Sequence, residues 1–133
     1  MNEIKFRAWD KIDNKFLNPK EFIIFGNGLF GRIEKIWPEP GITMDSDDMK
    51  NIILTQFTGL KDSKFVEIYE GDILKSVDEI KHGINNICLV KYKDSGFWAW
   101  APELNDFNGD LDSWINYDTE VIGNIYENPE LLK

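Results

Sequence analysis

The sequence has few of the residues from which metal sites and nucleophilic active sites are commonly built. Its 133 residues include one cysteine, Cys88, and one histidine, His82. No disulfide can form within the chain, and a structural zinc site, which usually takes four cysteine or histidine ligands, cannot be assembled from one of each. Cys88 lies in an apolar run, where a thiol behaves as a small hydrophobic side chain. We therefore expect no cofactor and no metal ion. The single cysteine also indicates that the protein is in a reducing compartment.

Long apolar runs are also absent. No window approaches the roughly 20 apolar residues of a transmembrane helix, and Glu3 and Asp10 interrupt the N-terminal pattern in a way unlike a signal peptide. Hydrophobic types still make up 42% of the chain, which is enough for a core without disulfides. These features predict one soluble, intracellular domain over residues 1–133.

Basic residues are scarce in the last quarter of the chain. The formal net charge is −9, and residues 101–133 hold one lysine against eight acidic residues. Contacts from Lys and Arg to phosphate supply most of the nonspecific affinity for nucleic acid. This acidic C-terminal quarter predicts no binding of nucleic acid and a negative field that attracts a basic protein surface. The lack of an apolar span predicts that no membrane is a partner.

Alternating polarity dominates the sequence and predicts a mainly β fold. Residues 87–93 and 97–100 are typical of a hairpin that turns at 94–96. Many short strands with glycine turns predict a compact domain of antiparallel strands with one or two helical turns, and SH3-like barrel character over residues 57–93. An α+β fold is the alternative.

Two neighbouring segments, 56–62 and 67–74, carry the strongest local pattern. They read as a strand, a turn at Gly59, a second strand, a tight turn at Glu70 and Gly71, and a third strand that begins at Asp72. We expect the backbone to require glycine at both glycine positions, with a positive φ at Gly71. The Asp72 carboxylate is expected to cap nearby backbone amides.

These segments resemble those of the YopX family. Residues 4–10 and 120–132 match the family in the expected order, and the latter segment includes Gly123, Asn128 and Pro129. The last two residues also predict the start of a short helix. The resemblance implies a small phage- or prophage-encoded protein in the cytoplasm of a bacterial host, and it carries over no catalytic residue.

Carboxylates suggest two kinds of chemistry. Asp106–Asp112 offers oxygen ligands at alternate positions, but Leu111 and Tyr117 stand where a calcium-binding loop needs glycine and glutamate. We interpret this segment as a solvated acidic loop with an Asn-Gly turn. Glu70 and its neighbours are better explained by turn chemistry than by acid–base catalysis, although a cleft that joins Glu70, Asp72 and Tyr92 would favour an enzyme.

The segment 97–100 places aromatic residues on both faces of a strand. Trp98 and Trp100 share one face, and Phe97 and Ala99 share the other. Either both faces pack within the fold, or one of them contacts a partner. The possible partner surface consists of Trp98, Trp100, Glu103, Asp106 and Asp110.

We therefore expect a non-catalytic protein-interaction module whose partner is a host or phage protein. One alternative is an acidic mimic of nucleic acid that acts on a host DNA-binding protein, and another is an enzyme with a dispersed carboxylate site. Nine Phe and five Trp exceed what a small barrel interior comfortably holds, so we also expect a homo-oligomer.

Overall fold

A computed structural model describes residues 4–19, 22–24, 30–35, 40–43, 51–76, 87–115 and 118–132. The strands in these ranges are β1 Phe6–Asp10, β2 Lys15–Phe16, β3 Phe22–Ile24, β4 Phe30–Lys35, β5 Pro40–Thr43, β6 Ile52–Lys61, β7 Glu67–Tyr69, β8 Asp72–Lys75, β9 Ile87–Lys93, β10 Gly96–Ala101, β11 Asp106–Asp110 and β12 Glu120–Asn124. The helices described are α1, Leu111–Trp114, and a 3-10 helix, Pro129–Leu132. The expected mainly β fold with one or two short helical turns is confirmed.

The chain divides into two compact units. The first contains Met1–Phe6 and Thr55–Lys133, and the second contains Arg7–Leu54. The single domain over residues 1–133 and the SH3-like character of residues 57–93 stay predictions. His82 and Tyr117 lie outside the described residues.

The second unit contains an antiparallel pair, β1 and β2, and a three-stranded sheet in the order β3-β4-β5. Its core includes Ala8 and Leu17, with other apolar side chains packed against them. The buried Asp10 carboxylate accepts hydrogen bonds from the backbone N–H groups of Ile12 (2.9 Å) and Asp13 (3.2 Å). This Asx turn closes the connection between β1 and β2.

The first unit is built on a five-stranded antiparallel sheet in the order β11-β10-β9-β8-β12. The expected hairpin of β9 and β10 is confirmed, with positive φ at Asp94 and Ser95 in its two-residue turn. Alternate residues of these strands face the core, which is formed by Ile68, Leu74, Cys88, Val90, Ala99, Leu111 and Trp114.

Strand β6 extends farther than the sequence indicates. Gly59 has φ 85 but does not reverse the chain, because β6 continues to Lys61 and shifts register against β7 between Phe57 and Lys61. The expected glycine turn is therefore a bulge. The reversal comes at residues 62–66, where a φ of 66 takes Phe65 out of the extended conformation, and β7 begins at Glu67.

The acidic segment is a strand followed by a helix, so the expected solvated loop at Asp106–Asp112 is wrong. Phe107 explains the difference, because its ring packs edge-on against that of Trp98, with centroids 6.4 Å apart. Lys93 Nζ lies 4.4 Å from the centroid of the same ring. These cross-strand contacts outweigh the poor strand propensity of Asp, Asn and Gly. Gly109, at φ 94, accommodates the irregular end of the strand.

The C-terminal segment confirms the expected helix start. β12 ends at Asn124, whose side-chain oxygen accepts hydrogen bonds from the backbone N–H groups of Tyr126 (3.1 Å) and Glu127 (2.8 Å). Asn128 then precedes the 3-10 helix, and its carbonyl accepts from the Leu131 N–H at 3.1 Å. In the part of the chain covered by the structure, no helix has the length and apolar character needed to cross a membrane.

Candidate functional site

The first unit carries an apolar groove of about 680 Å³ that is acidic at one end. It lies between β6, the start of β10 and the junction of β11 with α1. Its lining residues are Thr58, Leu60, Gly96, Phe97, Trp98, Gly109, Asp110, Leu111 and Asp112. This volume is within the range of small-ligand and peptide side-chain pockets.

The aromatic residues of the groove are held by the β9–β10 hairpin. Ala99 is fully buried and Phe97 packs against the same core. Trp98 is half-buried, and its indole N–H donates to the Lys93 carbonyl at 2.8 Å across the hairpin turn. Phe97 therefore joins the core and the groove, whereas Trp98 is fixed in orientation by a hydrogen bond and by Phe107. The Phe97 and Ala99 face of β10 packs against the core, whereas Trp98 and Trp100 on the other face are half-buried, so both interpretations of this strand stay predictions.

The acidic end of the groove comes from the short helix α1. Leu111 and Trp114 are buried and anchor this four-residue helix. Asp110 occupies the N-cap position in an extended conformation but makes no side-chain cap hydrogen bond. The Asp110 and Asp112 side chains are exposed, and no ion pair with a described residue is found for either. The two carboxylates therefore leave uncompensated negative charge beside apolar walls.

The groove unites part of the surface expected from the sequence. Trp98 and Asp110 line it, whereas Trp100, Glu103 and Asp106 do not. Trp100 is half-buried under Lys91, whose Nζ lies 4.4 Å from a Trp100 ring centroid. The Asp106 carboxylate accepts a hydrogen bond from the Phe107 N–H at 2.7 Å.

Sequence reasoning missed the walls that β6 and α1 supply. Thr58 and Leu60 come from a strand far away in sequence, so no local pattern could place them beside β10. Leu111 did leave a signal, because a single leucine within an acidic run is expected to be buried rather than solvated. Asp112, the residue after Leu111, also lines the groove.

A second cavity, of about 270 Å³, is lined by Glu70 and Tyr92 but not by Asp72, the third residue of the cleft considered above. Tyr126 and Lys91 also line it. Desolvation raises the pKa of the half-buried Glu70 carboxyl, and a hydrogen bond with the backbone of Gln56 partly opposes this change. Such a carboxyl can retain a proton nearer neutral pH than an exposed one and donate it.

Asp72 is not part of this cavity. It is 1% exposed, and its carboxylate accepts a hydrogen bond from the Tyr69 N–H at 2.8 Å. Gly71 has φ 90. The expected tight turn, with a positive φ at Gly71 and a capping Asp72, is therefore confirmed.

The remaining candidates for reactive groups are structural where the structure describes them. Cys88 is fully buried and burial raises the pKa of its thiol, as expected for a small hydrophobic side chain in the core. Among the described residues, no cluster of three or more His, Cys, Asp or Glu side chains could hold a metal ion.

The fold and the groove define a small antiparallel β protein with an exposed acidic and apolar surface. The family model described as YopX protein matches residues 5–133, and the chain belongs to the YopX family. It is 35% identical over 132 residues to the SPbeta prophage-derived uncharacterized protein YopX of Bacillus subtilis strain 168, with 96% of this chain and 95% of the relative covered.

Solved structures resemble the chain over its whole length. The crystal structure of protein EF1440 from Enterococcus faecalis has a TM-score of 0.63 and 28% identity, and both chains are covered completely. The crystal structure of YopX from Bacillus subtilis also has a TM-score of 0.63, with 26% identity in that alignment, 100% of this chain and 98% of the other. The expected family is thereby confirmed.

Proposed function

We propose that this chain is a prophage-encoded, non-catalytic module that binds a host or phage protein through the groove. The observation that carries the proposal is the combination of apolar walls at Phe97 and Trp98 with the uncompensated carboxylates of Asp110 and Asp112. The few residues that dominate the binding energy of protein interfaces are enriched in tryptophan, tyrosine and arginine. The prophage origin of the similar Bacillus subtilis protein supports the same origin here.

The chemistry of the groove favours a partner segment with a large apolar side chain next to Lys or Arg. The apolar side chain would displace water from the walls, and the cation would approach the two carboxylates. Such attraction accelerates association more than it strengthens binding, and it weakens as salt rises. We therefore expect the partner to have a basic surface around its apolar contact.

The proposal can be tested by purifying the tagged full chain from bacterial cells that carry the prophage. A protein that copurifies with the parent should be lost from the Asp110→Lys/Asp112→Lys variant. The matched control is Glu103→Lys/Asp106→Lys, which makes the same change of charge on nearby exposed residues that do not line the groove. Equal recovery of that protein with both double variants would contradict binding at the groove.

The acidic mimic of nucleic acid remains an alternative proposal, and it draws on the same C-terminal charge. Three carboxylates of this quarter have side-chain partners among the described residues. Asp118 accepts from the Ser76 hydroxyl (3.0 Å), Glu120 pairs with Lys64 (3.3 Å), and Glu127 accepts from the Asn124 amide (2.9 Å). A mimic would depend on the exposed acids of residues 103–112, so the control double variant above should then be as impaired as the groove variant.

A specific observation also supports the enzyme alternative, which is acid–base chemistry at the cavity of Glu70 and Tyr92. A carboxyl group with a raised pKa that lines a cavity is a candidate general acid. A small molecule that binds there should perturb the NMR signals of the Glu70 and Tyr126 region in the parent. Glu70→Gln should weaken that binding, and an unchanged affinity would contradict a role for the carboxyl.

A further inference from the structure

The turn between β6 and β7 displays a phenylalanine in a backbone conformation that bulky residues avoid. Phe65 is 82% exposed and has φ 66. The left-handed region places Cβ against the neighbouring carbonyl, so glycine or asparagine usually occupies it. The stability of the fold alone would therefore favour glycine or asparagine at position 65. A strained and exposed aromatic side chain suggests a contact with another molecule.

Hydrogen bonds around Asp62 hold this turn in place. Asp62 is 7% exposed, and one of its carboxylate oxygens accepts from the N–H groups of Lys64 and Val66, both at 2.8 Å. The other oxygen accepts from the Val121 N–H at 3.0 Å, which ties the turn to β12. The Phe65 N–H donates to the Asp62 carbonyl at 3.0 Å. Phe65 is thus presented on a prearranged turn, which lowers the entropy cost of binding.

Two lysines accompany the exposed phenylalanine. Lys61 is exposed, and Lys64 makes an exposed ion pair with Glu120 that contributes little and can be exchanged for another partner. The turn therefore combines an apolar side chain with basic residues. This is the chemistry that the groove requires of its occupant, because Asp110 and Asp112 lie beside its apolar walls.

We infer that the groove binds the turn of residues 61–66 from a second copy of this chain. Phe65 enters the apolar part of the groove, and the lysines approach the carboxylates of Asp110 and Asp112. This inference rests on the groove being the binding surface proposed above, and it identifies one occupant of that surface.

The predicted contact joins two different surfaces of the chain. Two copies can exchange turn and groove about a twofold axis, or each copy can use its two surfaces with different neighbours, which closes a larger ring or continues as a chain. A second copy and a different protein partner cannot occupy one groove together. Self-association would then compete with partner binding.

Sedimentation velocity on separate and mixed variants tests the contact. The parent should form larger species as concentration rises. Phe65→Asn removes the donor side chain, and Asp110→Lys/Asp112→Lys alters the acceptor, so each variant alone should be monomeric. An equimolar mixture of the two should form a dimer and nothing larger, because one variant retains only the groove and the other only the turn.

Controls separate this result from misfolding. Phe65→Asn should keep or raise the melting temperature, since asparagine tolerates positive φ, and Leu104→Asn, another exposed apolar position, should associate like the parent. A monomeric parent, an associating Phe65→Asn or a mixture that stays monomeric would overturn the inference. The proposed function is tested separately, because Phe65→Asn retains the groove and should still capture a protein partner.

Discussion

The ring of Tyr126 lies against the backbone of Gly71. A Cβ atom at Gly71 would come within 2.9 Å of Tyr126 Cε2, and the residue has φ 90. The Gly71 N–H donates to the Val90 carbonyl, and the Gly71 carbonyl accepts from the Ile125 N–H, both at 2.8 Å. Gly71 is therefore fixed by its conformation, by the ring packed on it and by hydrogen bonds to β9 and to the residue that follows β12.

Gly71→Ala should lower the free energy of unfolding by about 2–4 kcal/mol, because it adds steric overlap to the roughly 1–3 kcal/mol of strain at a positive φ. Gly109→Ala is the matched control. Gly109 has nearly the same φ, 94, but nothing lies within 4 Å of its Cβ position. The loss of unfolding free energy in Gly109→Ala should therefore come from conformational strain alone. Urea denaturation of both variants measures the difference.

A second background separates packing from strain at Gly71. In Tyr126→Ala the overlapping ring is gone, so adding Gly71→Ala should cost about as much as Gly109→Ala does in the parent. An equal loss of stability for Gly71→Ala and Gly109→Ala in the parent would mean that the Tyr126 ring moves aside without cost. The close packing would then have no energetic role.

The side chain of Asn128 limits the space at Gly123. A Cβ there would lie 2.6 Å from Asn128 Oδ1, the atom that accepts a hydrogen bond from the Asn124 N–H at 3.3 Å. Gly123→Ala should displace the Asn128 side chain, loosen the start of the 3-10 helix and cost about 1–3 kcal/mol. Hydrogen exchange should become faster at the Asn124 amide, and thermal denaturation should report the loss of stability.

Gly96→Ala provides the comparison for Gly123→Ala. Its nearest neighbour is Trp98 Nε1 at 3.7 Å, an ordinary van der Waals distance. This control should change stability by less than about 1 kcal/mol. If Gly123→Ala and Gly96→Ala had the same melting temperature, the contact between Gly123 and Asn128 would not limit the choice of residue at position 123.

Glu70 should make stability depend on pH. Desolvation raises the pKa of its carboxyl above the ordinary value of 4.5, so the folded protein holds this proton more tightly than the unfolded chain does. The associated stability is fully present below the unfolded pKa and is lost as pH rises through the folded pKa. Relative to Glu70→Gln, the parent should therefore lose stability as pH rises above the ordinary carboxyl pKa of 4.5.

Urea denaturation at several pH values measures this difference. Glu130→Gln, at an exposed carboxylate in the C-terminal segment, controls for the loss of one negative charge from an acidic protein. A difference between the parent and Glu70→Gln that stays constant with pH would contradict the effect of burial on Glu70.

The sequence predicted local structure better than contacts between distant segments. The turn of Gly71 and Asp72 could be predicted because glycine and aspartate act there on their own backbone neighbours. The strand at Phe107 could not, since it depends on a ring that packs across the sheet against Trp98. Likewise, Trp98 and Asp110 were expected to share a surface, but the contribution of Thr58 and Leu60 depends on how β6 packs beside β10.

The last prediction concerns nucleic acid, which this protein should not bind. Residues 101–133 contain one lysine and eight acidic residues. Their excess negative charge repels the phosphates of nucleic acid over about a Debye length. Two basic residues near the N-terminus already have partners within the protein. Lys5 pairs with Glu67, and the Arg7 guanidinium lies 4.5 Å from the Phe16 ring centroid. Fluorescence anisotropy with mixed-sequence DNA and RNA in ~0.1 M salt should show no micromolar binding. Affinity that falls as salt rises, and that is lost in Lys11→Glu/Lys15→Glu, would instead identify the N-terminal segment as a nucleic-acid contact.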